Sequence, residues 1–378
     1  MNYWFYHYLD RYLGIPLIFS LLLVNKIKKL FIEQNVQIKK ILAIKLTMMG
    51  DTILLYPAIK ALKEKFSYSE LTVLCSKVNL EIVKMWDFVD EIIVFEFDKF
   101  YKKPWSLLLQ IFKLYRKNFD LAIDFEQWFR ITSIIAFISS KYKIGFKTPK
   151  QYRHYLFDIK VSHIKNKHEV ESFCDVVKTL GVDVEDKRLF LKINENIREK
   201  IKNLLKNYDI EEKKFVIIHP GCGIHGFYRQ WDIDRYAKIA EYIATKYGCK
   251  IVITGNKDDI VQSVLFKKFY KLNNYLDMIG KTNLEELIAL VSMAKFLICG
   301  NTGVLHIAAA LNTPTIAIHG PTDPDKWGPW GEGHVVVKSD LDCVPCSYLG
   351  FEYKCKDRKC LKAIQHEEIK LFVDEFFK

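Results

Sequence analysis

From residue 41 onward, short β-rich apolar runs alternate with stretches whose apolar positions recur at helical spacing, the pattern of a parallel sheet wrapped by helices. In the first half, the runs at 41–46, 71–76, 91–95 and 121–125 predict strands, and the stretches between and after them predict helices over about 52–65, 78–86, 105–117 and 128–140. These elements compose one doubly wound half. Residues 190–214 are rich in Lys, Glu and Asn and read as a helix plus a polar connection. The alternation then resumes, with strands predicted at 215–219, 250–254, 296–299 and 315–319 and helices near 233–247, 258–270, 284–294 and 304–311. Asp232 suits the N-cap of the first of these helices and Gly248 its C′ position. The expected architecture is α/β: two Rossmann-like doubly wound domains, 41–190 and 214–340, joined by a linker at 191–213, with the strand carboxyl ends facing a cleft.

Two segments fall outside that pattern. Residues 1–40 form an N-terminal apolar and basic extension, in which the run LGIPLIFSLLLV at 13–24 follows Tyr3, Trp4, Phe5, Tyr6 and Tyr8 and precedes Lys26, Lys28 and Lys29. Its 12 residues are too few to span a bilayer, which needs about 20. A helix lying in the membrane surface, a buried packing helix and an oligomer contact are the open readings. A signal anchor is a weaker one, because Asp10 and Arg11 interrupt the apolar run. The other segment, 341–378, is rich in cysteine and ends in a helix.

The chain has 378 residues, 50% apolar and 14% aromatic, which suffices for two cores and excludes a disordered or collagen-like polypeptide. Its 57 Lys and Arg against 45 Asp and Glu give a net charge of +12, favouring anionic partners without choosing among nucleotides, phosphorylated sugars, nucleic acid and an acidic membrane face. The lysines are dispersed and no RRM, KH or helix-turn-helix signature occurs, so nucleic acid is not expected as a partner. Nine cysteines, an odd number, and no cleavable signal peptide point to a reducing cytoplasm.

Five motifs could carry chemistry. Lys45-Leu46-Thr47-Met48-Met49-Gly50-Asp51-Thr52 runs from a predicted strand into a helix, placing Asp51 at a strand's carboxyl end. Asp51 there either takes a proton from an attacking hydroxyl or caps the helix. His219-Pro220-Gly221-Cys222-Gly223-Ile224-His225-Gly226 contains a literal GxGxxG, but no helix opens on its third glycine, so the dinucleotide fingerprint is weak. Its backbone N–H groups could still cradle a phosphate, with Arg229 supplying charge. Asn301-Thr302-Gly303, followed by His306, makes a strand–loop–helix start that reads as an anion site or an ordinary capping turn, with His306 as a diphosphate donor or a core histidine. Gly320-Pro321-Thr322-Asp323-Pro324 begins a stiff loop that is either on the cleft side or a linker into the tail. Cys343, Cys346, Cys355 and Cys360, interleaved with Lys354, Lys356, Arg358 and Lys359, suit a structural zinc site, reduced structural cysteines or an oxidation-formed disulfide. HExxH, GxSxG, Walker A and EF-hand sequences do not occur.

Taken in order, these motifs resemble glycosyltransferase family 9, the heptosyltransferases of lipopolysaccharide assembly. The similar pieces are MGDTILLYPAIKALKEKF, IIHPGCG with RQWDIDRYAKIA and VITG, and NTGVLHIAAALNTPTIAIHGPTDP, spread over residues 40–335. The resemblance implies a GT-B fold and an inverting transfer from an ADP-activated heptose to a hydroxyl of a lipid-linked core sugar, without a metal or other catalytic cofactor. It makes Asp51 the general base and places Arg229 where the family commonly has a basic residue on the donor phosphates. Asp259, with Asp258 beside it, falls at the acidic donor-ribose position, and Thr302, Gly303 and His306 match the diphosphate and sugar loop. Gly221 and Gly223 would belong to the donor cradle.

The family usually has Asp where this chain has Asn301, which bears on the choice of sugar. A UDP- or GDP-sugar transferase, or a non-catalytic nucleotide-sugar binding protein at the membrane, are the alternatives. With a phosphorylated glycolipid as acceptor, the basic balance and the apolar extension imply a cytoplasmic enzyme held peripherally on the inner face of the membrane.

Overall fold

The apolar runs become strands because each can bury both faces under helices, as a parallel sheet requires. The computed structural model describes residues 3–29, 37–96, 105–223, 226–272, 274–349, 352, 355 and 357–378, with the backbone alone for 3–7 and 26–29. Two compact units result, Met1–Lys187 and Arg188–Lys378.

In the first unit, α1 (Tyr3–Lys29) precedes β1 (Lys40–Ile44), α2 (Met49–Lys65), β2 (Glu70–Cys75), α3 (Leu80–Val83) and β3 (Glu91–Val94). There follow α4 (Trp105–Lys117), β4 (Phe119–Asp124), α5 (Arg130–Ser139), β5 (Ser140–Lys147), β6 (Ile159–Ser162) and α6 (Glu169–Lys178). The six strands are parallel in the order β3-β2-β1-β4-β5-β6.

In the second unit, α7 (Glu195–Lys206), β7 (Phe215–His219), α8 (Ile233–Tyr247), β8 (Lys250–Ile253), α9 (Ile260–Phe269) and β9 (Tyr275–Asp277) come first. Then come α10 (Leu284–Met293), β10 (Phe296–Gly300), α11 (Gly303–Ala310), β11 (Thr315–His319), α12 (Pro324–Trp327), β12 (His334–Lys338), α13 (Lys359–Ala363) and α14 (His366–Phe376). This sheet is also parallel, in the order β12-β11-β10-β7-β8-β9. Counted within each unit, both sheets have the Rossmann strand order. Each therefore reverses direction once, between β1 and β4 and between β7 and β10.

Some expectations change. The run at 13–24 belongs to a helix of 27 residues, whose Tyr8–Asn25 stretch is long and apolar enough to cross a membrane by length and composition. The helix expected over 78–86 contracts to α3. Asp232 stands at the N-cap of α8, but its side chain caps nothing and instead accepts from Arg358 at 3.2 Å. Gly248 ends α8 with φ 61°, as a C′ glycine does.

Candidate active site

In a doubly wound sheet the connections on either side of the reversal point leave in opposite directions, opening a crevice at the strand carboxyl ends. In the first unit that crevice lies between β1 and β4. Lys45 follows β1, Asp51 sits in the first turn of α2, and Glu126 and Gln127 follow β4. Lys45 Nζ donates to Asp51 Oδ2 at 3.2 Å and to Gln127 Oε1 at 3.0 Å, and lies 3.5 Å from Glu126 Oε2. Gln127 Nε2 donates to the same Asp51 Oδ2 at 3.1 Å and to Glu169 Oε1 at 2.7 Å, and His163 Nε2 lies 3.0 Å from Glu169 Oε2. Glu126 Oε1 accepts from the backbone N–H groups of Leu46 and Thr47, both at 2.7 Å, which fixes the loop carrying Asp51.

Asp51 thus does not cap α2, whose N-cap position is Met48, held at φ 61° with no side-chain bond to the helix. Both donors take Oδ2, and Oδ1 has no hydrogen bond among the described residues. Its side chain keeps 14% exposure where Lys45 has 1% and Glu126 none, so it is the member of the cluster a substrate can reach. Burial raises its pKa to about 6; Lys45 opposes the rise, and Glu169 and Glu126 add to it. A carboxylate poised near neutrality with one free oxygen is the equipment of a general base.

In the second unit four motifs meet at the carboxyl ends of β7, β8, β10 and β11. A Cβ on Gly221 would come within 2.3 Å of the Asp259 carboxyl carbon, so these two sit in contact, and Asp259 Oδ2 also accepts from Asn256 N at 3.0 Å. The Gly223 N–H is a further donor to Asp259. Asp259 is therefore buried as a brace for the glycine loop, while Asp258 beside it is exposed. Gly223 has φ +66°, a conformation that favours glycine.

A Cβ on Gly300 would lie 3.2 Å from the Arg229 carbonyl oxygen and 3.3 Å from Cys222 Sγ, which joins the loop after β10 to the loop after β7. Asn301 Nδ2 donates to Thr322 Oγ1 at 2.7 Å, joining the loop after β11. Thr302 occupies the N-cap of α11 in extended backbone and makes no side-chain cap bond, and His306 is buried in the helix's first turn. Arg229 has no carboxylate partner among the described residues, and its buried Nε has no acceptor. An unneutralised guanidinium beside a glycine loop and a helix start is built to meet an anion.

The family model for glycosyltransferase family 9 (heptosyltransferase) matches residues 110–356. The chain belongs to glycosyltransferase family 9. This transferase is 24% identical over 330 residues to lipooligosaccharide heptosyltransferase 2 of Campylobacter jejuni, a span covering 85% of this chain and 93% of the relative. Among solved structures, the family 9 glycosyl transferase of Veillonella parvula has the same fold, with a TM-score of 0.77, 20% identity and coverage of 91% of this chain and 99% of that one. Escherichia coli heptosyltransferase WaaC with ADP-2-deoxy-2-fluoro heptose gives a TM-score of 0.65 at 18% identity, covering 89% of this chain and 99% of that one.

Every residue singled out for transfer thus lies at a strand carboxyl end or the loop or helix that follows: Asp51 in the first unit, and Gly221, Gly223, Arg229, Asp259, Asn301, Thr302, Gly303 and His306 in the second. Ile224 and His225 of the glycine motif lie outside the described residues, as do Lys354 and Lys356 of the cysteine motif. The zinc reading gains no support: Cys343, Cys346 and Cys355 are exposed, Cys360 is buried, all four are free, and no metal-holding group of three or more His, Cys, Asp or Glu occurs among the described residues. Backbone N–H groups of Lys359, Asp357 and Arg358 lower the Cys355 pKa, whereas burial raises that of Cys360.

Sequence reasoning assigned no role to Lys45, Glu126, Gln127, Glu169 or His163. Glu126 and Gln127 had a usable signal, two polar residues directly after a predicted strand. Glu169 and His163 had none, because they reach Gln127 only through the unpredicted strands β5 and β6.

Proposed function

We propose that this transferase moves a heptose, with inversion, from ADP-heptose to a hydroxyl of a lipopolysaccharide core or related glycolipid. The observation that carries the reading is Asp51, its Oδ2 locked by Lys45 and Gln127, its Oδ1 free and its pKa at about 6. The acceptor oxygen attacks the anomeric carbon as its proton passes to Asp51 Oδ1, and the bond from that carbon to the diphosphate oxygen breaks on the opposite side. Negative charge then grows on the leaving diphosphate; taken by itself, the second unit has Arg229, the loop of Gly221 and Gly223 and the N–H groups at the start of α11 as fixed positive potential suited to a diphosphate. Asp258, exposed where Asp259 is committed to the loop, is the carboxylate left for the ribose hydroxyls. The name of the Campylobacter jejuni relative supports heptose and a lipooligosaccharide acceptor, and the WaaC complex named above supports an ADP-linked donor. An acceptor in the membrane supports a peripheral position on its inner face.

Asn301 favours a second reading, in which the fold and base are the same and the donor sugar differs. Its amide donates to Thr322, so a sugar hydroxyl meets an amide where an acid would accept more strongly. The test is transfer from ADP-, UDP-, GDP- and dTDP-sugars to deacylated lipid A bearing Kdo, with Asp51→Asn as control. Transfer from ADP-heptose alone, lost in the variant, is the expected result. Transfer from another donor moves the pathway, and donor binding without turnover on any acceptor overturns catalysis.

A further inference from the structure

Two helices of the first unit are apolar on the side that faces solvent. On α1 the inward stripe is Asp10, Gly14, Ile18 and Asn25, packed on α5 and the turn Arg153–Leu156. Its outward stripe is Tyr8, Tyr12, Leu13, Leu17, Leu23 and Val24, with Tyr12 66% and Leu23 70% exposed. On α4, Leu107, Ile111 and Leu114 turn inward to the core. Trp105, Leu108, Leu109, Phe112 and Tyr115 turn outward, the least exposed of them at 54%. A surface helix ordinarily presents polar residues there.

Both helices lie on one side of the sheet. β3 to β4 and β4 to β5 step in the same direction across the sheet, so right-handed crossovers set α4 and α5 on the same face. α5 packs against both α4 and α1, meeting α1 through Arg130, Ile134 and Phe137.

Charge selects the occupant. The three helices and the turn Arg153–Leu156 contain a single carboxylate, Asp10, and it is buried against Arg130. Arg11, Lys113 and Arg116 are exposed on this side, and α1 ends in Lys26, Lys28 and Lys29. A second copy of the chain would set this acid-free basic face against itself. A surface with anionic headgroups over an apolar interior complements both features at once. The packing of α1 also sets its attitude: a Cβ on Gly14 would lie 2.9 Å from Arg130 Cβ, and Asp10 is bonded to Arg130, so the helix lies along the domain.

We propose that α1 and α4 form one docking face for an anionic bilayer, both helices lying in its headgroup plane. The proposal deepens the membrane-side reading above, and its test uses neither donor nor acceptor sugar, so it stands or falls apart from catalysis. Full-length protein is floated with phosphatidylglycerol–phosphatidylethanolamine vesicles and with neutral phosphatidylcholine vesicles. Compared with it are the pairs Leu108→Glu with Phe112→Glu on α4, and Tyr12→Glu with Leu23→Glu on α1. Binding is expected to be at least about tenfold stronger to the anionic vesicles. Each pair should weaken it at least about tenfold with the thermal transition unchanged. Failure of the native protein to float, or flotation of the α4 pair like the native protein, overturns the proposal. So does a concentration-dependent dimer that both pairs abolish, which makes the face a self-contact, or retention of α1 in membranes after alkaline carbonate extraction, which makes it a span.

Discussion

Around Asp51, charges of both signs set one pKa, so substitutions that remove them should move it in opposite directions. As the proposed base, Asp51 would act deprotonated, so kcat/KM should fall as pH drops through about 6. Lys45 holds that pKa down, and Lys45→Met should displace the acid limb to higher pH by roughly one to three units. Glu169 holds it up, and Glu169→Gln should displace the limb to lower pH, with His163, its other partner, the group to monitor by NMR. Asp51→Asn should lower kcat by about 10²- to 10⁴-fold and abolish the limb. Profiles measured on a soluble acceptor decide the matter, because a purely structural cluster would change the rate without displacing its pH dependence. Asp51 stood out in the sequence as an acid at a strand's carboxyl end, but that position suits a helix cap as well as a base, and only the family resemblance chose the base. The network tuning it was not legible, since Gln127, Glu169 and His163 are distant in sequence and meet only in the fold.

At the scale of elements, the strands β5, β6, β9 and β12 were not anticipated, and for more than one reason. β5 reads SKYKIGFK, with a lysine at every second or fourth position, and the structure hides Lys143 completely by pairing it with Asp158 at 2.9 Å. β6 and β9 are edge strands of four and three residues, too short for a period to register. The attachment of α1 was equally illegible. Asp10, which in sequence only interrupts an apolar run, accepts from the backbone N–H groups of Arg130 and Ile131 at 2.9 and 2.8 Å. It thereby serves as the N-terminal cap of α5 that Phe129, at the N-cap position, cannot provide. It also pairs with the Arg130 guanidinium at 3.2 Å, where the two side chains are 5% and 1% exposed. Asp10→Ala leaves that cation buried without its carboxylate, at a cost of about 3–5 kcal/mol. A fall of roughly 10 °C in the Tm of the first unit is expected by calorimetry. Asp10→Asn, which keeps an acceptor for the N–H groups, should fall between.

For the whole molecule, the alternation of strands and helices was enough to anticipate two Rossmann-type halves, because a parallel strand pair needs a crossover and the crossover is written as a helix. What the alternation could not say is that the final residues are core. Leu361, Ile364, Ile369 and Val373 are buried in the same cluster as β7, β8, β10 and β11. Trp231 Nε1 donates to the Ile364 carbonyl at 3.2 Å, and Arg235 Nη1 donates to that of Lys362 at 2.9 Å. Residue 231 and the Arg229 two positions before it are therefore held partly by the tail. Each fully buried side chain of this kind contributes about 1.5–3 kcal/mol. Four of them match the whole stability of a typical domain, about 5–15 kcal/mol. Ending the chain at residue 340 should therefore abolish the cooperative transition of the second unit and the ADP binding proposed for it, read by calorimetry and titration. The first unit, whose core contains none of these residues, should keep its own transition. Leu361→Ala, expected to cost about 2–5 kcal/mol, tests the same dependence without removing chain. A truncated protein that still binds ADP with native affinity would show that the tail covers the core without being needed for it.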